Sequence, residues 1–298
     1  MAAAMGDVYL PSGRMREFCE CAAALTSLAV FNERNTLLLN GTAALELVVT
    51  ALGRYPDDPE VQASLLPHLA GMAGSCCPYL TPVVARLGGF GALFRALGRF
   101  PGDPEVQMAA WRGLSDHSHN QVGAGIIANY GGPLEGVQFI MRQLEGHPEP
   151  DSGEWRDRLG MQYEILQNIG GIVENDVNRT YTPAFLGEGL VERLTHAMRV
   201  EHRKRATQDV GCKVMHQLAM KDPSVVGALL DAGAVSLALR AVEVYQAGDI
   251  TPWGGLDNTL GHAFSVTRPC MDALLTFAHI SEDALGEMTA RGVEHVAE

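Results

Sequence analysis

The 298-residue chain is 47% hydrophobic but only 6% aromatic, so it carries ample small aliphatic material for packing helices against one another. Its net charge of −13 argues against general binding to nucleic acid or anionic membranes. Charged residues are 19% of the chain, below the roughly 25% usual for soluble domains, a hint that a partner covers part of the surface.

Taken in chain order, residues 14–29 read as one helix with Phe18, Cys21, Ala22, Leu25, Leu28 and Ala29 on its apolar side. A short segment around Leu37-Leu38-Leu39 reaches Gly41, and a second helix spans Ala43–Leu52. The stretch Leu52-Gly53-Arg54-Tyr55-Pro56-Asp57-Asp58-Pro59-Glu60-Val61-Gln62 follows, then a long helix over 60–73, which Pro67 is expected to interrupt. The same stretch returns 45 residues later as Leu97-Gly98-Arg99-Phe100-Pro101-Gly102-Asp103-Pro104-Glu105-Val106-Gln107, identical at nine of eleven positions. It reads as a corner between two helices. Pro101 cannot continue the first; Asp103 caps the second, Pro104 suits its first position, and Glu105 meets the positive helix end.

Later units are looser copies. The third starts at Asn120, runs through Val137–Leu144, and has a swollen corner over 145–157 that holds Trp155 before a helix around 158–169. The fourth starts at Asn175, continues through Val191–Met198 to a helix over 206–219, and replaces the Pro-Asp-Asp-Pro corner with Arg199 and His202-Arg203-Lys204-Arg205. The fifth starts at Asp222-Pro223 and contains the longest insertion, 246–266, before the helix Pro269–Ala278. Glycines at 41, 89, 132, 189, 233 and 292 are expected to supply the bend after each short helix. A period of this size belongs to paired or tripled helices stacked into a solenoid. The expected organisation is a single solenoid over 1–298, with units at 32–75, 76–118, 119–173, 174–220 and 221–281 and partial units at 1–31 and 282–298. Solenoid ends need covering, so a cap, a partner or a continuation is expected at one or both.

The six cysteines, Cys19, Cys21, Cys76, Cys77, Cys212 and Cys270, read as small core residues in a reducing compartment rather than a disulfide framework. None has zinc-site spacing, and neither a metal nor a cofactor is expected. No run approaches the roughly 18 apolar residues of a membrane span. The first residues lack the basic region of a secretory signal and the Arg/Ser-rich pattern of a presequence, though a processed organellar protein would look the same. An intracellular, cytoplasmic site is the expectation, with ciliary or organellar assemblies left open.

Short helix, Gly-rich bend, second helix, Pro-containing corner and long third helix together resemble the armadillo-repeat family over residues 14–298. The resemblance implies an all-α, right-handed superhelical solenoid whose third helices line a concave groove for extended protein segments. The nuclear-import receptors of that family carry Trp and, four residues on, Asn on each third helix. Aligning the units puts Ala23 and Ser27, Pro67 and Gly71, Arg112 and Asp116, Glu164 and Asn168, Lys213 and Gln217, and Asp272 and Thr276 at those places. Only Asn168 matches, and Trp111 falls one residue off on the core side, which disfavours the import-receptor reading.

The candidate binding set is therefore Arg112, Asp116, Glu164, Asn168, Lys213, Gln217, Asp272 and Thr276, with Trp253 as a contact residue in the insertion. The competing reading of the charged members is a solvated face laced with weak ion pairs. His202–Arg205 could dock an acidic partner, act as a localisation signal or be a solvated turn. Catalysis has little support: Asp116, His117, Ser118 and His119 offer acid–base groups, but neither a Gly-x-Ser-x-Gly motif nor a phosphate loop is present. The expected role is a non-enzymatic protein-binding scaffold, most plainly a structural subunit of a larger assembly. Alternatives are a freestanding adaptor with a peptide-binding groove and a regulatory or catalytic role at Asp116–His119.

Overall fold

The computed structural model describes residues 1–29, 32–73, 78–145, 155–202, 204–246 and 267–290, and every regular element among them is helical. Two compact units divide the chain, Met1–Gly136 and Val137–Glu298.

The first unit begins with α1 (Ala2–Ala4), a π-helical turn (Met5–Tyr9) and α2 (Leu10–Ser12), then the longer α3 (Met15–Ala29). A short–medium–long triplet follows as α4 (Glu33–Asn40), α5 (Ala44–Arg54) and α6 (Pro59–Ala73). It repeats as α7 (Thr81–Leu87), α8 (Gly89–Arg99) and α9 (Pro104–Ser118), and α10 (Gln121–Ala128) starts again. The long helices carry the core: α6 packs on both α3 and α9. Leu65, Leu66 and Leu69 of α6 and Trp111 and Leu114 of α9 are fully buried. That packing explains why Pro67 sits inside α6 without ending it. An interior proline costs about 3 kcal/mol, whereas each buried leucine contributes roughly 1.5–3 kcal/mol.

The second unit repeats the triplet. Its long helices are α12 (Trp155–Glu174), α15 (Arg205–Lys221) and α18 (Thr267–Ile280). Between them run α13 (Tyr181–Gly187), α14 (Leu190–Val200), α16 (Val225–Asp231) and α17 (Ala234–Gln246); α11 (Glu135–Glu145) crosses the boundary from the first unit and α19 (Glu282–Ala290) closes the described chain. Helix α15 packs on both α12 and α18. Ile165, Leu166 and Ile169, then Val214, Met215 and Leu218, then Leu274 and Phe277 fill the layer.

The doubled corner folds as a cap joined to a clasp. Asp103 accepts the backbone N–H groups of Glu105 and Val106, each at 3.0 Å, and Asp58 accepts that of Val61 at 3.1 Å. The terminal glutamine of the stretch has an equally regular role. Gln107 Nε2 donates to the carbonyls of Leu97 (2.8 Å) and Phe100 (3.0 Å), and Gln62 Nε2 to those of Leu52 and Tyr55 (3.0 and 2.9 Å). Gln208 does the same with Met198 and Glu201 at 2.9 and 3.1 Å. Carbonyls at the end of a helix lack intrahelical partners, and the glutamine satisfies two of them from the helix that follows.

Two further expectations, besides the break at Pro67, need correction. The left-handed bends fall at Gly88, Gly131, Gly189 and Gly233, with φ between +76° and +93°. Gly89 and Gly132 are thus one residue late, and Gly41 is right-handed at φ −74°; Gly292 lies outside the described residues. Gly89 answers to space instead, since a Cβ there would lie 2.5 Å from Val84 Cγ1. The second correction concerns sulfur: Cys212 and Cys270 are joined in a disulfide between α15 and α18 rather than lying as separate core residues. The insertion between them hides their proximity in the sequence. Cys19 and Cys21 are free and part-buried, and Cys76 and Cys77 lie outside the described residues.

Candidate protein-binding face

In the first unit, α9 presents Arg112 and Asp116 one turn apart. Arg112 is exposed, whereas burial pushes the Asp116 carboxyl up to about 6 against the opposing pull of Arg112. On α6, His68 Nδ1 lies 3.0 Å from Thr26 Oγ1 of α3. Burial lowers the His68 imidazole to about 4, so it is neutral near pH 7.

The structure splits the Asp116–His119 cluster. His117 and Ser118 are fully buried, and the His117 ring packs tilted on Phe90 at 5.2 Å. Thr81 Oγ1 accepts from Asn120 Nδ2 at 3.0 Å and lies 3.2 Å from His117 Nδ1. Burial lowers the His117 imidazole to about 4, with the Leu69 carbonyl pulling the other way. This histidine is a core residue that ties α9 to α7, while Asp116 and His119 stay nearer the surface.

In the second unit, Lys213 and Gln217 of α15 converge on one carboxylate. Gln217 Nε2 donates to Glu174 Oε2 at 2.9 Å, and Lys213 Nζ lies 3.5 Å from the same oxygen. Sequence reasoning missed Glu174, which ends α12 and follows no repeated motif. Thr276 of α18 meets His216 Nδ1 of α15 at 2.8 Å, another pairing missed, and Asp272 faces Arg268 at 4.0 Å. Gln217, Lys213 and Thr276 thus link neighbouring long helices, whereas Asp272 and Arg268 share α18; exposed ion pairs of this kind contribute about 0–1 kcal/mol each.

Glu164 and Asn168 do not belong to this row. Asn168 is fully buried and its Nδ2 donates to the Glu164 carbonyl at 2.8 Å. Registering α12 by its buried Gln162 on Gln107 and Gln208 puts Gln167 and Gly171 at the places held by Arg112 and Asp116 and by Lys213 and Gln217. The swollen corner had removed the Asp-Pro marker, so the alignment slipped by three residues, almost a full turn. Trp253 and the Trp155 side chain lie outside the described residues.

The basic corner conceals an acid. Glu201 is buried, accepts the Thr207 hydroxyl, and burial raises its carboxyl to about 7 against the pull of Thr207 and Lys204. Arg199 donates to the Ala232 carbonyl and is thereby tied to the next unit's bend. Three large apolar side chains on α3 and α4 are exposed: Leu28, Leu37 and Leu38, at 52%, 50% and 64%. Asn35 Nδ2 bonds the Leu28 carbonyl at 2.7 Å and so holds the two helices together there. Among the described residues no group of three or more His, Cys, Asp or Glu side chains could hold a metal ion. No single helix there is long and apolar enough to cross a membrane.

No family model matches the chain, and no curated protein matches it. Solved structures do. An engineered protein matches with a TM-score of 0.66 at 19% identity, covering 90% of this chain and 92% of that one. A second engineered protein gives 0.62 at 19% identity, over 87% and 91%. A designed armadillo repeat protein gives 0.62 at 13% identity, over 88% and 94%. At such identities the likeness concerns the backbone alone, and it matches the triplets counted above: the chain has an all-α, armadillo-like helical-repeat fold.

Proposed function

We propose that this chain is a non-enzymatic protein-interaction scaffold of the armadillo class, built into a larger intracellular assembly as a structural subunit. The observation that carries the reading is the exposure of Leu28, Leu37 and Leu38 on the adjoining helices α3 and α4. Three leucines left in water forgo burial worth roughly 1.5–3 kcal/mol each, and a partner seated on these two helices would recover it. The test is co-purification at high salt of the tagged wild type and of a Leu37→Asp/Leu38→Asp variant whose helicity is unchanged. The reading requires stoichiometric companions for the wild type and their loss in the variant; a wild type recovered alone, as a well-behaved monomer, would end it.

The freestanding adaptor keeps one specific support, the exposed Arg112 beside the half-buried Asp116 on α9. Under that reading Arg112→Glu and Lys213→Glu weaken capture of an extended segment, and unchanged affinity removes these long-helix positions from consideration. A regulatory or catalytic role for Asp116–His119 finds less support, because His117 is committed to the core.

A further inference from the structure

The glutamine register aligns Leu66, Trp111, Leu166 and Cys212 at one position of four successive long helices, and all four are fully buried. Helix α18 buries Cys270, Ala273, Leu274 and Phe277 in the pattern in which α15 buries Gly211, Val214, Met215 and Leu218. Cys270 therefore takes the place held elsewhere by Leu65, Ala110, Ile165 and Gly211. Where the other long helices meet through apolar side chains or glycine, α15 and α18 meet through two sulfurs, with Cα atoms 4.8 Å apart. The bond closes a stretch of 58 residues that contains α16, α17 and the 246–266 insertion.

We propose that Cys212 and Cys270 form a redox-controlled staple that decides how firmly α18 is held on α15. The oxidant is a low-molecular-weight disulfide of the glutathione class. The Cys212 thiolate attacks one of its sulfurs and expels the first glutathione thiolate; the Cys270 thiolate then attacks the Cys212 sulfur of the mixed disulfide and expels the second. Two protein thiols and one glutathione disulfide become one protein disulfide and two glutathione thiols, which carry the two electrons and both protons. Both cysteines are fully buried, so exchange in either direction requires α18 to lift. A closed staple is consequently shielded from reductant while α18 stays docked. Cys19 is a poor competitor, because burial pushes its thiol up to about 11 and keeps it protonated.

The experiment uses the full chain, equilibrated with glutathione disulfide in one sample and dithiothreitol in the other. Alkylation under denaturing conditions and peptide mapping report the pairing; hydrogen exchange on the native protein reports its effect. The expected result is a Cys212–Cys270 cross-linked peptide in the oxidised sample, with α18 amides exchanging at least tenfold faster after reduction while α6 and α9 keep their protection. A Cys212→Ala/Cys270→Ala variant should match the reduced wild type and ignore dithiothreitol. Pairing of either cysteine elsewhere, or α18 exchange indifferent to reduction, overturns the proposal. So does equal loss of protection in α6 and α9, since the bond would then hold the whole chain rather than one helix.

Discussion

The first unit writes its corner twice in nearly the same residues, whereas the second replaces each corner with something else. In the first, an aspartate cap and a glutamine clasp act together at Asp58–Gln62 and Asp103–Gln107. In the second, the clasp survives at Gln208, but Lys204 precedes α15 without a side-chain cap, and the buried Glu201 bonds Thr207 instead. At the swollen corner Gln162 keeps its buried place, yet its Oε1 has no hydrogen-bond partner among the described residues. The difference separates what the repeat requires from what it tolerates. A helix start can be left to solvent at modest cost, whereas two carbonyls buried at a helix end demand a donor. The second unit, with weaker corners, carries the disulfide.

Several substitutions would break or sharpen that contrast, and the largest effect belongs to the core. Trp111→Ala should cost about 3–5 kcal/mol in denaturant unfolding, because a fully buried indole leaves a cavity. Opening the Cys212–Cys270 bond should cost the second unit roughly 4 kcal/mol on the loop-entropy account of a closure of this length, with the first unit unaffected in exchange measurements. Gln107→Leu should cost about 1–3 kcal/mol by stranding the Leu97 carbonyl, while the Phe100 carbonyl keeps the Asp103 N–H. Gln162→Leu should cost less, since it also removes an unsatisfied oxygen. Equal costs would mean that the clasp is not what distinguishes the corners.

Acid should move the two units in opposite directions. His68 and His117 titrate near 4 in the folded chain against 6.5 in the unfolded one, so the unfolded state binds more protons in between. Their contribution is complete above about pH 6.5 and is lost as pH falls toward 4, with Asp116 opposing in part. Glu201 and Asp209, raised by burial to about 7 and about 6, bind protons preferentially in the folded state. The second unit should therefore gain stability as pH falls from 7 toward 4.5. Hydrogen exchange at pH 7 and 5, corrected for intrinsic rates, should show α6 and α9 loosening while α15 tightens. Smallest of all, Arg99→Ala, which removes an exposed ion pair with Asp57, should change stability by about 0–1 kcal/mol.

The fold was readable because its period is carried by residues with strong local physics. Proline and aspartate mark where a long helix starts, and apolar spacing marks its buried face. The sequence also showed the glutamine twice, but its role depends on carbonyls seven and ten residues earlier, which become neighbours only when the corner closes. Adjacent glycines gave the right bend one residue late, because a doublet does not say which member takes positive φ. The register of the candidate positions was legible where a corner anchored the count, at Arg112, Asp116, Lys213 and Gln217. It failed at Glu164 and Asn168, where insertion erased the anchor. Glu174, His216 and the cysteine pair are meetings between helices, set by packing rather than by local pattern.

The most direct test of the scaffold account is sedimentation of the protein in native extract beside its Leu37→Asp/Leu38→Asp variant. The account predicts that the wild type travels in a salt-resistant assembly and that the variant, still helical, travels as a monomer. A wild type that sediments as a monomer in fresh extract would contradict it.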